Sequence, residues 1–282
     1  MSQSSTWRRR RIAHLARVSA GIVLAALFLF PIYWMVLSSF KLPKDIFTSP
    51  PVFLFDPTLE TYASYMSRAD IMRRMVNTVI VATGAGVLSI VAGTMAGYAL
   101  ARIRIRGAVT FGVIILMSRG VPPIALAVPM FLVARKLGLT DMHITLILAY
   151  CTFLIPYVMW LMRGFFQGLP KELEEAAMLD GCGRFGAFFK IIVPISLPGI
   201  LSTLIFSVIL AWEELLFALV LTNRNASTIP VAIAGIAGDT VNGANWGALT
   251  AVGTLTVVPV VIFALLVQKW LIKGLSDGAT KG

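Results

Sequence analysis

The sequence predicts an all-α integral membrane protein with six transmembrane helices and with both termini on the cytoplasmic side. Three observations carry this expectation. The 282 residues are 58% hydrophobic and 13% charged, with a mean hydropathy of +0.86, whereas a soluble domain carries roughly 25% charged residues. Six apolar segments, near 15–39, 76–101, 108–134, 143–163, 197–221 and 247–271, are each long enough to cross about 30 Å of hydrocarbon as helix. The basic residues sit between these segments, so the net charge of +11 reads as cytoplasmic loop charge rather than a nucleic-acid surface.

Each element has its own justification. The first segment follows Arg8 to Arg11 and is longer than the 7–15 apolar residues of a signal peptide, with no small-residue cleavage site after it. It is therefore expected as an uncleaved helix behind a cytoplasmic tail of residues 1–14. The stretch 40–75 is rich in Pro, Phe and Tyr, including Pro50-Pro51 and Asp56-Pro57, and is expected to hold short interfacial helices facing a partner outside. The second segment contains Thr83-Gly84-Ala85-Gly86 and Ala92-Gly93-Thr94-Met95-Ala96-Gly97. Small residues let helix backbones approach, so these runs predict a packed bundle. In the third segment Arg119 lies about halfway along, just before Val121-Pro122-Pro123. The paired prolines remove two backbone donors and predict a kink or interruption. The fourth segment leads into a polar stretch, 164–195. The fifth carries Trp212, Glu213 and Glu214 in its outer half and is followed by an external stretch, 222–246, with Asn223, Asn225, Asn242 and Asn245. The sixth ends in a cytoplasmic tail, 273–282.

Charge sets the orientation. With the N-terminus inside, Arg8 to Arg11, Arg17, Arg102, Arg104, Arg106, Arg163, Lys171, Arg184, Lys190, Lys269, Lys273 and Lys281 fall inside. Lys41, Lys44, Arg68, Arg73, Arg74, Arg135, Lys136 and Arg224 fall outside, and Arg119 lies within a span. Fifteen against eight favours this orientation over its inverse.

Motifs for chemistry are missing. No lysine is followed by Ser or Thr, so the chain lacks a nucleotide-binding P-loop and is not expected to hydrolyse ATP. HExxH and Gly-x-Ser-x-Gly are absent. His14 and His143 are isolated. Cys151 lies in an apolar run and Cys182 in the polar stretch, which suits neither a disulfide nor a metal site. No catalytic residue, metal ligand or bound cofactor is expected.

The polar stretch reads as helix, turn, helix. Pro170 suits a first helical turn, and Glu172, Glu174 and Glu175 then lie where acidic side chains favour the positive end of the helix dipole. Ala176 and Ala177 give a small surface that another protein can approach. Asp180-Gly181 ends the helix, since Gly takes a left-handed cap. Residues 184–192 read as a second short helix halted before Pro194.

The spelling Glu175-Ala176-Ala177-Met178-Leu179-Asp180-Gly181, then Ile191-Ile192-Val193-Pro194, resembles the E-A-A-x-x-x-G-x(9)-I-x-L-P loop of binding-protein-dependent ABC importer permeases, with Val193 replacing Leu. Trp212-Glu213-Glu214-Leu215 is similar to the W-N-E/D-F/L segment of carbohydrate-importer permeases, with Glu213 replacing Asn. The end, Gln268-Lys269 through Gly274-Leu275 to Gly278-Ala279-x-Lys281-Gly282, resembles the terminus of the maltose-type second permease subunit. The resemblance implies a type I importer permease domain over 15–272, with a coupling loop at 164–195. It also implies that Glu174, Glu175, Ala176, Ala177, Asp180 and Gly181 form a coupling helix against an ATPase. Implied partners are a second permease in a heterodimer, two ATPase subunits holding ATP and magnesium, an extracytoplasmic solute-binding protein and membrane lipid. The implied setting is a bacterial inner membrane, and the implied cargo is a sugar, oligosaccharide or polyol.

Two readings of the intramembrane polar residues stay open at this point. Arg119, Trp212, Glu213 and Glu214 line the solute path, the ring stacking on a sugar and the charges bonding hydroxyls. Otherwise they form a buried Arg–Glu pair, or a contact to the partner permease. The alternatives to a carbohydrate importer are an ABC importer for another solute, or an ion-coupled secondary transporter with Arg119, Glu213 and Glu214 as its relay.

Overall fold

The computed structural model describes residues 3–67, 69–103, 107–238 and 246–279, with side chains described except at 3–13, 69, 108–109 and 266–279. Arg68, Arg104, Arg106, Asn242, Asn245 and Lys281 lie outside the described residues, as do the side chains of Arg8 to Arg11 and of the C-terminal motif at 268–282.

All regular structure among the described residues is helical. The helices are α1 Gln3–Ser39, α2 Pro43–Ile46, α3 Glu60–Met66, α4 Ala69–Arg102, α5 Ala108–Met117, α6 Pro123–Lys136 and α7 His143–Gln167. They continue with α8 Glu172–Leu179, α9 Arg184–Ala187, α10 Val193–Ile195, α11 Leu197–Trp212, α12 Leu216–Leu221, α13 Ile229–Gly238 and α14 Trp246–Ala279. A 3-10 turn occupies Ser118–Gly120 and a π turn Phe188–Ile192. Both α1 and α14 run unbroken across the tail boundaries expected at 14/15 and 272/273.

Four helical stretches are long and apolar enough to cross a membrane: His14–Ser39, Asp70–Arg102, His143–Gln167 and Trp246–Leu265. Two further candidates are bent pairs, Thr110–Gly120 with Pro123–Lys136 at 88° and Arg184–Ile195 with Leu197–Trp212 at 76°. The third expected span is thus broken rather than straight. Pro122 holds Val121 extended, at φ −68° and ψ 122°, and Pro123 starts the next helix, where its missing N–H costs nothing.

The fifth span also departs from the expected single rod over 197–221. It stops at Trp212 and resumes at Leu216, because Glu214 diverts the backbone donors. Its carboxylate accepts the N–H groups of Leu216, Phe217 and Ala218 at 2.9 to 3.4 Å, capping α12 from within the chain. A second correction concerns the helix expected to halt before Pro194. The helical path continues through Pro194 to Ile195 and turns at Ser196. The N–H of Val193 reaches back to the carbonyl of Phe188, and this wider π turn carries the chain into the residue that cannot donate.

Contacts divide the chain into two units: Met1–Arg68 with Gly235–Val257, and Ala69–Ala234 with Val258–Gly282. In the first unit α1 exposes its apolar side chains, Leu27 and Phe28 at 67% and 76%, as suits a helix solvated by lipid. The stretch after it does form short helices, α2 and α3, held by buried polar anchors. Lys41 is 1% exposed; its ammonium donates to the Val52 carbonyl at 2.6 Å and lies 4.5 Å from the Trp34 ring centre. The hydroxyls of Ser39 and Tyr62 lie 2.7 Å apart.

The second unit is built on α4 against α7, with α11 packed on both and α12 on α6. The glycine runs explain the closeness. A Cβ at Gly93 would sit 2.6 Å from a Val158 methyl group, and one at Gly97 would sit 2.8 Å from the Met159 carbonyl and 2.9 Å from the Arg163 nitrogen. Backbone cannot yield as a side chain can, so Gly97 marks a point where the two helices touch main chain to side-chain-free main chain. Val81, Ala82, Ala85, Leu146, Leu154 and Phe217 fill the adjoining core.

Candidate functional site

The polar stretch 164–195 folds against the Arg102 end of α4. Gly168 closes α7, and α8 begins at Glu172 with Lys171 as its N-cap. Pro170 therefore stands before the cap rather than in the first turn. Glu172, Glu174 and Glu175 occupy that first turn, where negative charge is favoured by the positive end of the helix dipole. The other end is a Schellman cap. Gly181 takes φ +84°, its N–H bonds Met178 at 3.1 Å, and the Cys182 N–H bonds Ala177 at 3.0 Å.

This geometry gives α8 two faces. Glu174 and Ala177 point inward, at 9% and 7% exposure. Glu175, Ala176, Asp180 and Gly181 are exposed, beside Leu179 at 89% and Phe185 at 74%. The outward face is small, acidic and partly apolar, which suits a protein surface more than a small ligand.

Glu174 is the anchor of the inward face. One of its oxygens lies 2.5 Å from Arg102 Nε, and the other accepts the Tyr98 hydroxyl at 2.9 Å. Arg102 also donates to the Leu169 carbonyl at 2.9 Å. The side chains of Arg102 and Glu174 are 6% and 11% exposed, and Tyr98 packs on the rings of Phe166 and Phe188. Removing one member of such a buried pair costs about 3–5 kcal/mol, because the other is left unpaired. A cavity of about 460 Å³ opens beside this cluster, lined in part by Met95, Arg184 and Phe185.

The four intramembrane residues are not brought together. Arg119 is exposed, with its guanidinium carbon 5.0 Å from the Tyr157 ring centre, and no ion pair among the described residues joins it to Glu213 or Glu214. Trp212 is 3% exposed in the core, and its indole N–H has no hydrogen-bond partner among the described residues. Glu213 is exposed. Glu214 is committed to capping α12. The buried Arg–Glu pair is thus absent, and Trp212 presents no face to open space.

A second polar cluster went unread in the sequence. It gathers at the Ala69 end of α4. Asn77 donates to the carbonyls of Asn225 and Ser227 at 2.7 and 2.9 Å, which turns its own carbonyl toward His143 Nε2 at 2.7 Å. Arg74 donates to the Ser227 hydroxyl at 2.6 Å, and the Ile229 N–H bonds the Thr78 hydroxyl at 2.9 Å. Asp141, at φ +60°, accepts the N–H groups of Asn223, Arg224, Asn225 and Ala226 at 2.9 to 3.1 Å. The only textual hints were a polar Asn near the start of an apolar span and an Asp two residues before an isolated His.

Burial acts to raise the Asp141 carboxyl, but the four backbone donors outweigh it and hold the group below its ordinary value. A depressed folded value means that the stabilisation is full above the unfolded pKa of about 3.9 and is lost as pH falls through the folded value. The melting temperature of the purified protein is therefore expected to exceed that of Asp141→Asn at neutral pH. The gap should close only below about pH 4. A gap that stays constant down to pH 3 would show that the charge of Asp141 is not what holds the 223–226 backbone.

The family model described as binding-protein-dependent transport system inner membrane component matches residues 89–277. The chain is 34% identical over 271 residues to a diacetylchitobiose uptake system permease protein of Streptomyces coelicolor, covering 94% of this chain and 98% of that one. It is 32% identical over 281 residues to a trehalose/maltose transport system permease protein of Thermococcus litoralis, covering 98% and 99%. Among solved structures, a bacterial ABC transporter for import of the acidic polysaccharide alginate superposes with a TM-score of 0.74 at 24% identity, over 93% of this chain and 97% of that chain. The last likeness concerns the fold.

Proposed function

The chain belongs to the binding-protein-dependent transport system inner membrane components, and from that premise we propose that it is the membrane-spanning permease of an ATP-driven importer for a sugar, oligosaccharide or polyol. Membership makes it a transport subunit of the inner membrane. The carbohydrate cargo is supported by the names of its relatives, permeases for diacetylchitobiose and for trehalose/maltose. It pairs with a second permease, receives solute from a binding protein outside, and rests on two ATPase subunits inside that hold the ATP and magnesium. This chain carries no ATPase activity of its own. Its N- and C-termini face the cytoplasm.

The observation that carries the mechanism is the two-faced α8. Its outward residues Glu175, Ala176, Asp180 and Gly181 form the docking surface for an ATPase subunit, and the inward Glu174 and Ala177 fix that surface to the permease. ATP-driven closure of the ATPases shifts α8, and the permease follows only because the two ATPase states bind its inward- and outward-facing forms with different free energies. Arg119 and Glu213, both exposed, remain candidates for the solute path. Glu214 shapes that path by holding the break in the fifth span. An ion relay of Arg119, Glu213 and Glu214 finds no support, since these residues are not joined.

The test is a pulldown of the membrane complex, followed by a thermal-shift screen of the associated binding protein against sugars and polyols. An ATPase subunit and a binding protein stabilised by a carbohydrate are expected. The isolated chain should show no ATP hydrolysis above a detergent blank. Stoichiometric ATP turnover by the chain without partners, or uptake that persists without an ATPase subunit, would overturn the proposal.

A further inference from the structure

α4 is gripped at both ends by saturated polar clusters, and the two clusters hold segments far apart in sequence. At one end Arg102 and Tyr98 take up both oxygens of Glu174 on α8. At the other, Asn77 uses both its N–H groups and its carbonyl on Asn225, Ser227 and His143. Asn77 and Thr78 are 4% and 1% exposed, and Ser227 is fully buried. The clusters stand 25 residues apart on one helix (102 − 77), about 38 Å at 1.5 Å per residue. Neither attachment can loosen gradually, because a partly broken buried cluster leaves polar groups without partners and without water. In between, Gly93 and Gly97 let α4 lie in close contact with α7.

We propose that Arg102 and Tyr98 are positioning residues that fix the coupling helix to α4, and that α4 conveys the displacement of that helix to the 223–229 segment through Asn77. The inference rests on the coupling reading of α8. It assigns the far end of the motion, which that reading leaves open. When an ATPase subunit moves α8, the Glu174 cluster moves α4 with it, and the 223–229 backbone follows at the opposite end. That segment lies outside in the proposed orientation, so a change of nucleotide state inside is felt at a surface open to the solute side. A purely stabilising role for the two clusters would alter yield or melting temperature and leave state-dependent changes in this segment untouched.

The experiment uses the full complex in proteoliposomes, with Cys151 and Cys182 replaced by alanine and Ala226→Cys introduced. Ala226 is fully buried, so its modification by a membrane-impermeant maleimide reads the opening of the segment. In this parent complex the labelling rate is expected to differ about tenfold between the nucleotide-free state and the state trapped with ATP and vanadate, a coupling of the size common for linked sites. In Arg102→Gln the ratio should fall at least threefold toward unity with the ATPase subunits still bound. Tyr98→Phe keeps the ring on Phe166 and Phe188 and removes only the hydroxyl given to Glu174, so it decides the matter if Arg102→Gln fails to assemble. A smaller fall in the same direction is expected there. Unchanged ratios in the variants that assemble overturn the inference. A parent complex that transports solute yet labels equally in both states also overturns it, while leaving the coupling reading in place.

Discussion

Gly181→Val is expected to cut solute uptake at least tenfold in a permease that still reaches the membrane, whereas Gly181→Asn keeps most of it. No atom lies within 4 Å of a Cβ built at Gly181, so neither variant is penalised by crowding. What differs is the backbone. Gly181 holds φ +84°, a region that costs an ordinary residue about 1–2 kcal/mol and a β-branched one more, while Asn adopts it readily. A penalty of one or two kcal/mol shifts a population by a factor of about 5–30, which is enough to move Asp180 and the end of α8 out of the docking geometry. Glu175→Lys probes the same surface by charge. Its effect on the helix itself is only about 0.3–1 kcal/mol for an exposed first-turn residue. A complete loss of uptake in that variant would therefore report the contact with the ATPase and not the stability of α8. Uptake of labelled solute and recovery of ATPase subunits with the permease measure both. Equal uptake by the Val and Asn variants would remove the cap from the mechanism.

Glu214→Gln is expected to lower the yield of folded permease several-fold, while Glu213→Gln leaves yield unchanged. Each Glu214 oxygen serves two backbone N–H groups of α12. Glutamine turns one of those oxygens into a donor facing donors, and hydrogen bonds to a charged group contribute about 1.5–3 kcal/mol. Glu213 is exposed and makes no such bonds, so its replacement tests solute contact without disturbing the break at 213–215. Size-exclusion yield and melting temperature separate the two. A normally folded Glu214→Gln protein with impaired uptake would return this carboxylate to the solute path.

The parts legible in the sequence were those with a local physical cause. Six apolar segments followed from hydropathy, the interruption of the third from Pro122 and Pro123, the close packing of α4 from Gly93 and Gly97, and the end of α8 from Gly181. The parts that stayed hidden depend on partners distant in the chain. Glu174 reads as one of several acidic residues in a helix start, and only folding brings Arg102 and Tyr98 onto it across more than 70 residues. The break at Glu213–Leu215 was invisible for a related reason. The surrounding residues are apolar enough to extend a span, and it is the side chain of Glu214 bending back to the backbone that ends the helix. Trp212 stayed undecided in the sequence because its aromatic character fits a sugar and a core equally well, and only folding shows it buried.

The right-angled turn between α5 and α6 has a consequence for where water stands in the membrane. Pro123 occupies the position whose N–H would have served the Arg119 carbonyl in a continuous helix, and hydrocarbon offers that oxygen nothing in exchange. Irregular backbone survives at membrane depth only where protein covers it or where a hydrated cavity reaches it. Arg119 itself is exposed at the turn. In a bilayer, the turn at Ser118–Pro122 therefore calls for water or protein beside it rather than lipid tails.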